Sequence, residues 1–275
     1  MTVTILKGDC REVLRELPAE SVHCVVTSPP YWRQRDYGIA SQIGMEKHPD
    51  DYIVALVEAF QAMRPVLLPT ATVWLNIGEK WAAGGNGGGG SCMAKRRDIA
   101  WAHAKQARGW RSPPAGFKDK DMVGTPWSVA LALRNDGWWL RQAVVWDKGT
   151  ATEPARADRP SISHEYLFQL GKTADPATRD PGEPWFSTSV WTVRPQPRPE
   201  DHPAMMAPEI VRRCIVCSSR PGDTILDPFA GAGTTGLVAD QHQRNAILIE
   251  LNPDYSAMAE RRIRGDAGMF AEVNT

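Results

Sequence analysis

Two short stretches hold the residue types best suited to chemistry. The first, T-S-P-P-Y-W (Thr27 to Trp32), follows an apolar run that includes Val22, Cys24, Val25 and Val26. Proline lacks an N–H and fixes φ, so Ser28-Pro29-Pro30-Tyr31 must form a stiff turn with exposed carbonyls. A hydroxyl, a fixed carbonyl and an aromatic ring are thereby held side by side. The second stretch, I-L-D-P-F-A-G-A-G-T-T-G (Ile225 to Gly236), sets a glycine turn between an apolar strand and a helix. Gly231, Gly233 and Gly236 satisfy the letters of a dinucleotide fingerprint, with Glu250 nearly twenty residues beyond Gly231.

That fingerprint makes a nicotinamide dehydrogenase the first competitor. The residues just before the glycines argue for a different ligand. A pyrophosphate needs bare N–H groups and little negative charge nearby. Asp227-Pro228-Phe229 instead offers a carboxylate and a phenyl ring. Those suit a cationic ligand without phosphate, such as S-adenosylmethionine, which carries an ammonium and a sulfonium.

The elements that must position these turns follow from periodicity. Val3 to Leu6 reads as a strand, Asp9 to Leu17 as a short helix ended by Pro18, and Ser21 to Thr27 as a second strand. Pro49-Asp50-Asp51 starts a helix with apolar Ile53, Leu56, Val57, Phe60 and Met63 at helical spacing, closed by Leu67 and Pro69. Thr72 to Ile77 alternates and is β-branched, as a strand should be. Strand, helix and strand in this order predict a parallel sheet in an α/β chain. Further on, Pro126 to Asn135 reads as helix, Trp139 to Asp147 and Glu165 to Leu170 as strands, and Thr173 to Pro203 as irregular. Pro208 to Ser219 (helix), Asp223 to Asp227 (strand), Thr234 to Gln241 (helix), Asn245 to Glu250 (strand) and Pro253 to Arg264 (helix) complete the chain.

Residues 81–125 interrupt the pattern. They contain G-G-N-G-G-G-G (Gly84 to Gly90), eight Lys/Arg against three Asp/Glu, and interleaved Trp101 and Trp110. This composition is either a surface insertion or a basic, aromatic loop that tracks a phosphate backbone. Across all 275 residues the formal net charge is zero, so any nucleic-acid patch must be local. No apolar run approaches the roughly 20 residues of a membrane span, and the N-terminus lacks signal-peptide architecture. Five cysteines without staple-like spacing fit a reducing compartment. Cys214 and Cys217 sit on a helix with no second pair or histidines, which favours a structural role over zinc.

With both turns in view, the chain resembles the amino-methylating DNA methyltransferases of the β arrangement, in which the catalytic turn precedes the cofactor turn. Six ordered segments carry the resemblance over nearly the whole chain. These are L-K-G-D-C around Asp9, T-S-P-P-Y-W, Trp146 to Tyr166, Val190 to Glu209 (V-W-T-V, then H-P-A-M-M-A-P-E), D-P-F-A-G-A-G-T-T, and I-L-I-E-L-N-P-D-Y from Ile247 to Tyr255. The chain departs from many relatives at Met205-Met206, where they show Lys or Phe, and in its Gly-rich insertion.

The resemblance implies a Rossmann-like methyltransferase fold: a mixed, mostly parallel sheet flanked by helices. It implies one domain over 1–275, with a catalytic half in 1–80 and 126–170 and the basic insertion in 81–125. A candidate target-recognition segment would occupy 171–203 and a cofactor-binding half 204–264. Ser28, Pro29, Pro30 and Tyr31 become the expected catalytic residues. Asp9, Cys10, Thr27, Asp227, Phe229, Gly231, Gly233, Thr234, Thr235, Glu250, Leu251, Ala204 and Met205 become the expected cofactor residues. Trp32, Arg33, Arg35, Arg159, His164, Glu165, Lys95, Arg96 and Arg97 are the expected contacts to the target base or DNA. The expected cofactor is S-adenosyl-L-methionine, leaving as S-adenosyl-L-homocysteine, with no metal. Double-stranded DNA is the expected partner, a cognate restriction endonuclease and a homodimer are further ones, and the setting is the bacterial or phage-infected cytoplasm at the nucleoid.

An exocyclic amine is a poor nucleophile because its lone pair is delocalised into the base. Acceptors on its two N–H groups pull the nitrogen toward tetrahedral geometry, and Ser28 Oγ and the Pro29 carbonyl are the candidates. The expected reaction is direct methyl transfer to cytosine N4 after base flipping, without a covalent enzyme–base intermediate. Relatives that modify adenine usually carry Asp at the Ser28 position, so adenine N6 is the alternative. RNA or protein-glutamine methylation and a catalytically silent DNA-binding module are more remote ones.

Overall fold

The structure, a computed structural model, describes residues 1–82, 105–106, 113–152, 157–195, 205–266 and 272–274, with only the main chain at 105–106 and 272. Lys95, Arg96, Arg97, Ala204 and the Gly-rich run lie outside the described residues.

The described residues build a nine-stranded sheet. Its strands are β1 (Thr2–Lys7), β2 (Val22–Thr27), β3 (Leu67–Ile77), β4 (Trp139–Asp147), β5 (His164–Gly171), β6 (Val190–Thr192), β7 (Thr224–Asp227), β8 (Asn245–Glu250) and β9 (Glu272–Asn274). The spatial order is β6-β4-β5-β3-β2-β7-β8-β1-β9. Only β5 runs against its neighbours, pairing antiparallel with β3 and β4; every other adjacent pair is parallel. The sheet is therefore mixed and mostly parallel.

Parallel strands covered on both faces must be apolar on both faces. In β2, Val25 packs with Tyr52, Leu56, Phe60 and Trp138 on one side. Cys24 and Val26 pack with Ile210, Val211, Cys214 and Ile215 on the other. The first face is covered by α1 (Cys10–Val13), α2 (Pro49–Met63) and α3 (Thr125–Asn135), the second by α4 (Pro208–Ser218), α5 (Thr234–Gln241) and α6 (Pro253–Asp266). Among the described residues no helix is long and apolar enough to cross a membrane.

Three elements differ from the sequence expectation. β3 starts at Leu67, not Thr72, and runs through Pro69. Its pairing with β2 slips between Val22 and Cys24, and the exposed Pro69 sits in that bulge, where no ladder N–H is required. The helix expected from Asp9 to Leu17 is a four-residue α1 followed by a 3-10 turn, Leu14–Glu16, with Asp9 as N-cap accepting from Arg11 N. The stretch expected to be irregular from Thr173 contains a 3-10 turn, Pro184–Ser187, and strand β6, which extends the sheet.

The topology places the chemistry at one edge. β2 and β7 are parallel neighbours, with Cys24 opposite Ile225 and Val25 opposite Leu226. The proline turn and the glycine turn thus leave adjacent strands in the same direction, at a sheet end where α/β folds bind ligands. Glu250 ends β8 beside Lys7, so Gly8 and Asp9 follow next to it. Because β5 is reversed, its beginning, His164-Glu165, meets the end of β4 at Asp147 and Trp146.

Candidate active site

A single cavity of about 610 Å³ runs along these strand ends. Ser28, Pro29, Pro30 and Tyr31 line one part, with Asn76, Trp146, Lys148 and Glu165. Asp9, Cys10, Phe229, Gly231, Thr234, Thr235, Glu250, Leu251 and Met205 line the rest. Ligand cavities usually fall between about 300 and 1,000 Å³.

The proline turn is locked from behind. Tyr52 Oη donates to the Pro30 carbonyl at 3.0 Å. Among the described residues nothing donates to the Pro29 carbonyl, and Pro29 lines the cavity. Ser28 Oγ donates to Tyr31 Oη at 3.3 Å, and Tyr31 Oη lies 2.9 Å from Glu165 Oε2 and 3.1 Å from Asn76 Oδ1. With the serine proton turned toward Tyr31, the Ser28 lone pairs are left as acceptors. Glu165 also pairs with the Lys148 ammonium, which stands 4.6 Å over the Trp146 ring. Burial and the Glu165 carboxylate hold the Tyr31 phenol well above its ordinary range, so it stays protonated. The ring leans on Gly78, where an added Cβ would lie 2.6 Å from Tyr31 Cε2.

The glycine turn is built around two carboxylates. Asp227 is buried, and its Oδ1 accepts from Thr27 Oγ1 at 2.7 Å and Phe229 N at 3.1 Å, while Oδ2 accepts from Thr235 Oγ1 at 2.7 Å. Desolvation raises its pKa to about 6, opposed by those three hydrogen bonds. Glu250 accepts from Gly231 N at 2.6 Å and Asn252 N at 2.8 Å, one bond to each oxygen. Burial pushes its carboxyl up to about 7. Asp9 accepts from the Arg11 main chain and guanidinium, which lowers its pKa. Burial raises the Cys10 thiol to about 12, so Cys10 is an apolar wall residue.

Several expected residues take other places. Trp32 is 1% exposed in the core and donates its indole N–H to the Glu46 carbonyl, so it offers no face to a base. The chain turns back right after it, with Arg33 at φ +52° and Arg33 N bonded to Gly44 O. Thr27 is fully buried and serves Asp227 from behind the wall. Gly233, at φ +74°, sits against α6, where a Cβ would lie 2.7 Å from Ala259 Cβ; its absence of side chain allows helix packing and not ligand approach. Arg35 lines the cavity. Arg33, Arg159 and His164 stand outside its wall: Arg33 donates to the Met45 carbonyl, Arg159 covers the Trp81 ring at 4.1 Å, and His164 meets the Tyr166 ring edge-on.

The cavity also holds residues that were not singled out from sequence. Asn76 is brought to the proline turn by pairing of β3 with β2, and Lys148 by the pairing of β3, β4 and β5, which no local pattern announces. Tyr37 and Tyr255 form an edge-to-face pair, 5.8 Å between centroids, at the cavity wall. Arg262 of α6 donates to the Ala232 carbonyl and reaches Thr234 Oγ1 at 3.4 Å, pinning the glycine turn.

Known proteins resemble this chain over most of its length. The type II methyltransferase M.SmaI of Serratia marcescens is 40% identical over 270 residues, covering 94% of this chain and 90% of its own. M.XycI of Xanthomonas campestris pv. cyanopsidis is 42% identical over 270 residues, covering 95% and 88%. In fold, the chain is similar to the PvuII DNA methyltransferase, named as cytosine-N4-specific, with a TM-score of 0.70 at 17% identity over 99% of this chain and 96% of that one. It is also similar to a DNA modification methylase of Thermus thermophilus, TTHA0409, solved with S-adenosyl-L-methionine, with a TM-score of 0.68 at 24% identity over 99% and 100%. The family model described as DNA methylase matches residues 22–261, and with these relatives it shows that the chain belongs to the N6/N4 DNA methylases, whose methyl donor is S-adenosylmethionine.

Proposed function

We propose that this methylase is a site-specific type II enzyme acting on the exocyclic N4 amine of a cytosine flipped out of duplex DNA. One observation carries the proposal. Two acceptors, Ser28 Oγ and the Pro29 carbonyl, flank a rigid turn in the same cavity as the buried Glu250 and the glycine turn. They would take the two amine N–H groups and localise the nitrogen lone pair, with little reorganisation because the prolines and Tyr52 fix the turn. A serine in place of aspartate at the head of the turn favours cytosine, and the cytosine-N4-specific PvuII enzyme shares the fold.

The residues present fit S-adenosylmethionine, which supplies an electrophilic methyl group when bound. Glu250 keeps lone pairs for ribose hydroxyls, and Asp9, Cys10 and Leu251 would flank the adenosine. Phe229, Gly231, Thr234, Thr235 and Met205 would hold the methionine end. Arg33, Arg35, Arg159 and the basic residues at 95–97 would grip phosphates, offsetting the few kcal/mol of base flipping. The type II designation of the relatives supports a cognate restriction endonuclease as a partner. The test is transfer of label from the cofactor to unmethylated plasmid, followed by mapping of the modified positions. A single recurring sequence is expected; label scattered over unrelated sequences, or none in DNA, would overturn the proposal.

Two further outcomes are expected. Ribose hydroxyls donating to Glu250 favour its charged form, and its carboxyl starts near about 7, so cofactor binding should release a proton. Apparent affinity should weaken about tenfold per pH unit below about 7 and level off above it. Asp227, at about 6, titrates lower and faces protein hydroxyls. Calorimetry across pH, in buffers of different ionisation heat, checks both; affinity that is flat with pH contradicts the role of Glu250. Gly78→Ala should push the Tyr31 ring off its seat and slow methyl transfer about tenfold or more, with cofactor affinity unchanged in the same titration.

A further inference from the structure

Methylating an amine leaves a surplus proton on nitrogen, and Ser28 cannot keep it. A serine hydroxyl that accepts a proton must pass one on, since its own conjugate acid is far too strong to persist. The cavity holds a directed path for that. Ser28 Oγ donates to Tyr31 Oη at 3.3 Å, and Tyr31 Oη stands 2.9 Å from Glu165 Oε2. The far oxygen of Glu165 is paired with the Lys148 ammonium, which leaves Oε2 facing Tyr31. Asn76 Oδ1 also lies 3.1 Å from Tyr31 Oη, but an amide takes up no proton; its Nδ2 donates to the Tyr166 carbonyl, which fixes that orientation. Glu165 is thus the carboxylate in hydrogen-bond contact with the Ser28–Tyr31 pair among the described residues.

We propose that Glu165 is the terminal proton acceptor of methyl transfer, reached from Ser28 through Tyr31. The inference rests on the proposed seating of the amine at Ser28. The nitrogen forms its bond to the methyl carbon as the carbon–sulfur bond breaks, with that electron pair going to sulfur. The proton then lost from nitrogen goes to Ser28 Oγ, the serine proton to Tyr31 Oη, and the tyrosine proton to Glu165 Oε2. The serine and tyrosine end neutral, as they began, and Glu165 ends protonated. The buried phenol need never ionise, in keeping with its raised pKa. The ion pair with Lys148 has a purpose in this scheme, because a buried pair is weak evidence for stability by itself.

The decisive variant is Tyr31→Phe, which keeps the ring and removes only the relay oxygen. The relay predicts a single-turnover rate about 100-fold below wild type, the usual contribution of a positioned proton acceptor. Cofactor affinity and DNA affinity should be unchanged, and melting temperature should fall by only a few degrees, the cost of the donor lost to Asn76 and Glu165. Glu165→Gln retains an acceptor oxygen for Tyr31 but takes up no proton, and it should show the same loss in kcat with unchanged KM. Glu165→Asp should recover part of it. If Tyr31→Phe turns over within threefold of wild type while Ser28→Ala is inactive, the relay is wrong and the seating of the amine stands. If Ser28→Ala is itself active, the seating fails first. Should Glu165→Gln melt early because Lys148 is left unpaired, Tyr31→Phe still decides, since it leaves that ion pair whole.

Discussion

Ser28→Ala should lower the single-turnover rate of methyl transfer by about 100- to 1000-fold, the range seen when one preorganised hydrogen-bond group is removed from a reacting centre. The effect should be confined to the chemical step. Among the described residues the Ser28 side chain makes one hydrogen bond, to Tyr31, and the flanking prolines with Tyr52 hold the turn without it. Melting temperature and cofactor affinity should therefore match wild type. The loss is large because Ser28 is one of only two acceptors proposed for the amine. The remaining one, the Pro29 carbonyl, cannot orient both N–H groups. A rapid-mix assay with labelled cofactor and saturating duplex measures it; a rate within threefold of wild type would remove Ser28 from the mechanism.

The second large effect is expected at Asp227, and it separates two roles for the same residue. Sequence suggested a carboxylate facing a cation. The structure adds that both oxygens are engaged by Thr27, Thr235 and Phe229 N, tying β2 to β7 and to the start of α5. Asp227→Ala would take the carboxylate partner from the buried Thr27 hydroxyl and from Phe229 N, leaving Thr235 only the Val26 carbonyl at 3.3 Å, at a cost on the order of 3 kcal/mol. A fall in melting temperature of roughly 6 °C or more should follow. Asp227→Asn is the informative companion. Burial already raises the Asp227 pKa to about 6, so a neutral group of the same shape is tolerated there. The hydroxyls of Thr27 and Thr235 can accept as well as donate. If Asp227 is mainly a clamp, the Asn variant should lose less than half the stability that Ala loses and bind cofactor within about tenfold of wild type, a limit of about 1.4 kcal/mol. A much larger loss of affinity in Asp227→Asn, with a normal melting temperature, would restore the cation-pairing role.

The parts of the site legible in the sequence are those whose backbone geometry is dictated locally. Consecutive prolines impose a turn at Ser28 whatever surrounds them, and glycines at positive φ, such as Gly231 at +53°, impose another. Strands and helices with a clear period were equally legible. The hidden parts depend on pairing between distant segments. Asn76 meets Tyr31 because β3 pairs with β2, Leu75 opposite Thr27, and Glu165 does so because β5 inserts antiparallel between β3 and β4. Lys148 follows β4 and gains its meaning from that same reversal. Trp32 misled for a related reason. An aromatic beside a catalytic turn suggests stacking on a base, but the positive φ at Arg33 folds the chain back and buries the indole. Pro69 seemed to end an element because a bulge that excuses its missing N–H cannot be seen without the partner strand.

The mechanism turns on which amine receives the methyl group. Unmethylated plasmid incubated with the enzyme and S-adenosylmethionine, digested to nucleosides and resolved by mass spectrometry against standards, answers it directly. The expected product is N4-methyldeoxycytidine, formed by wild type and absent with Ser28→Ala. N6-methyldeoxyadenosine as the product would contradict the cytosine assignment while keeping the amine chemistry, and 5-methyldeoxycytidine would contradict the mechanism as a whole.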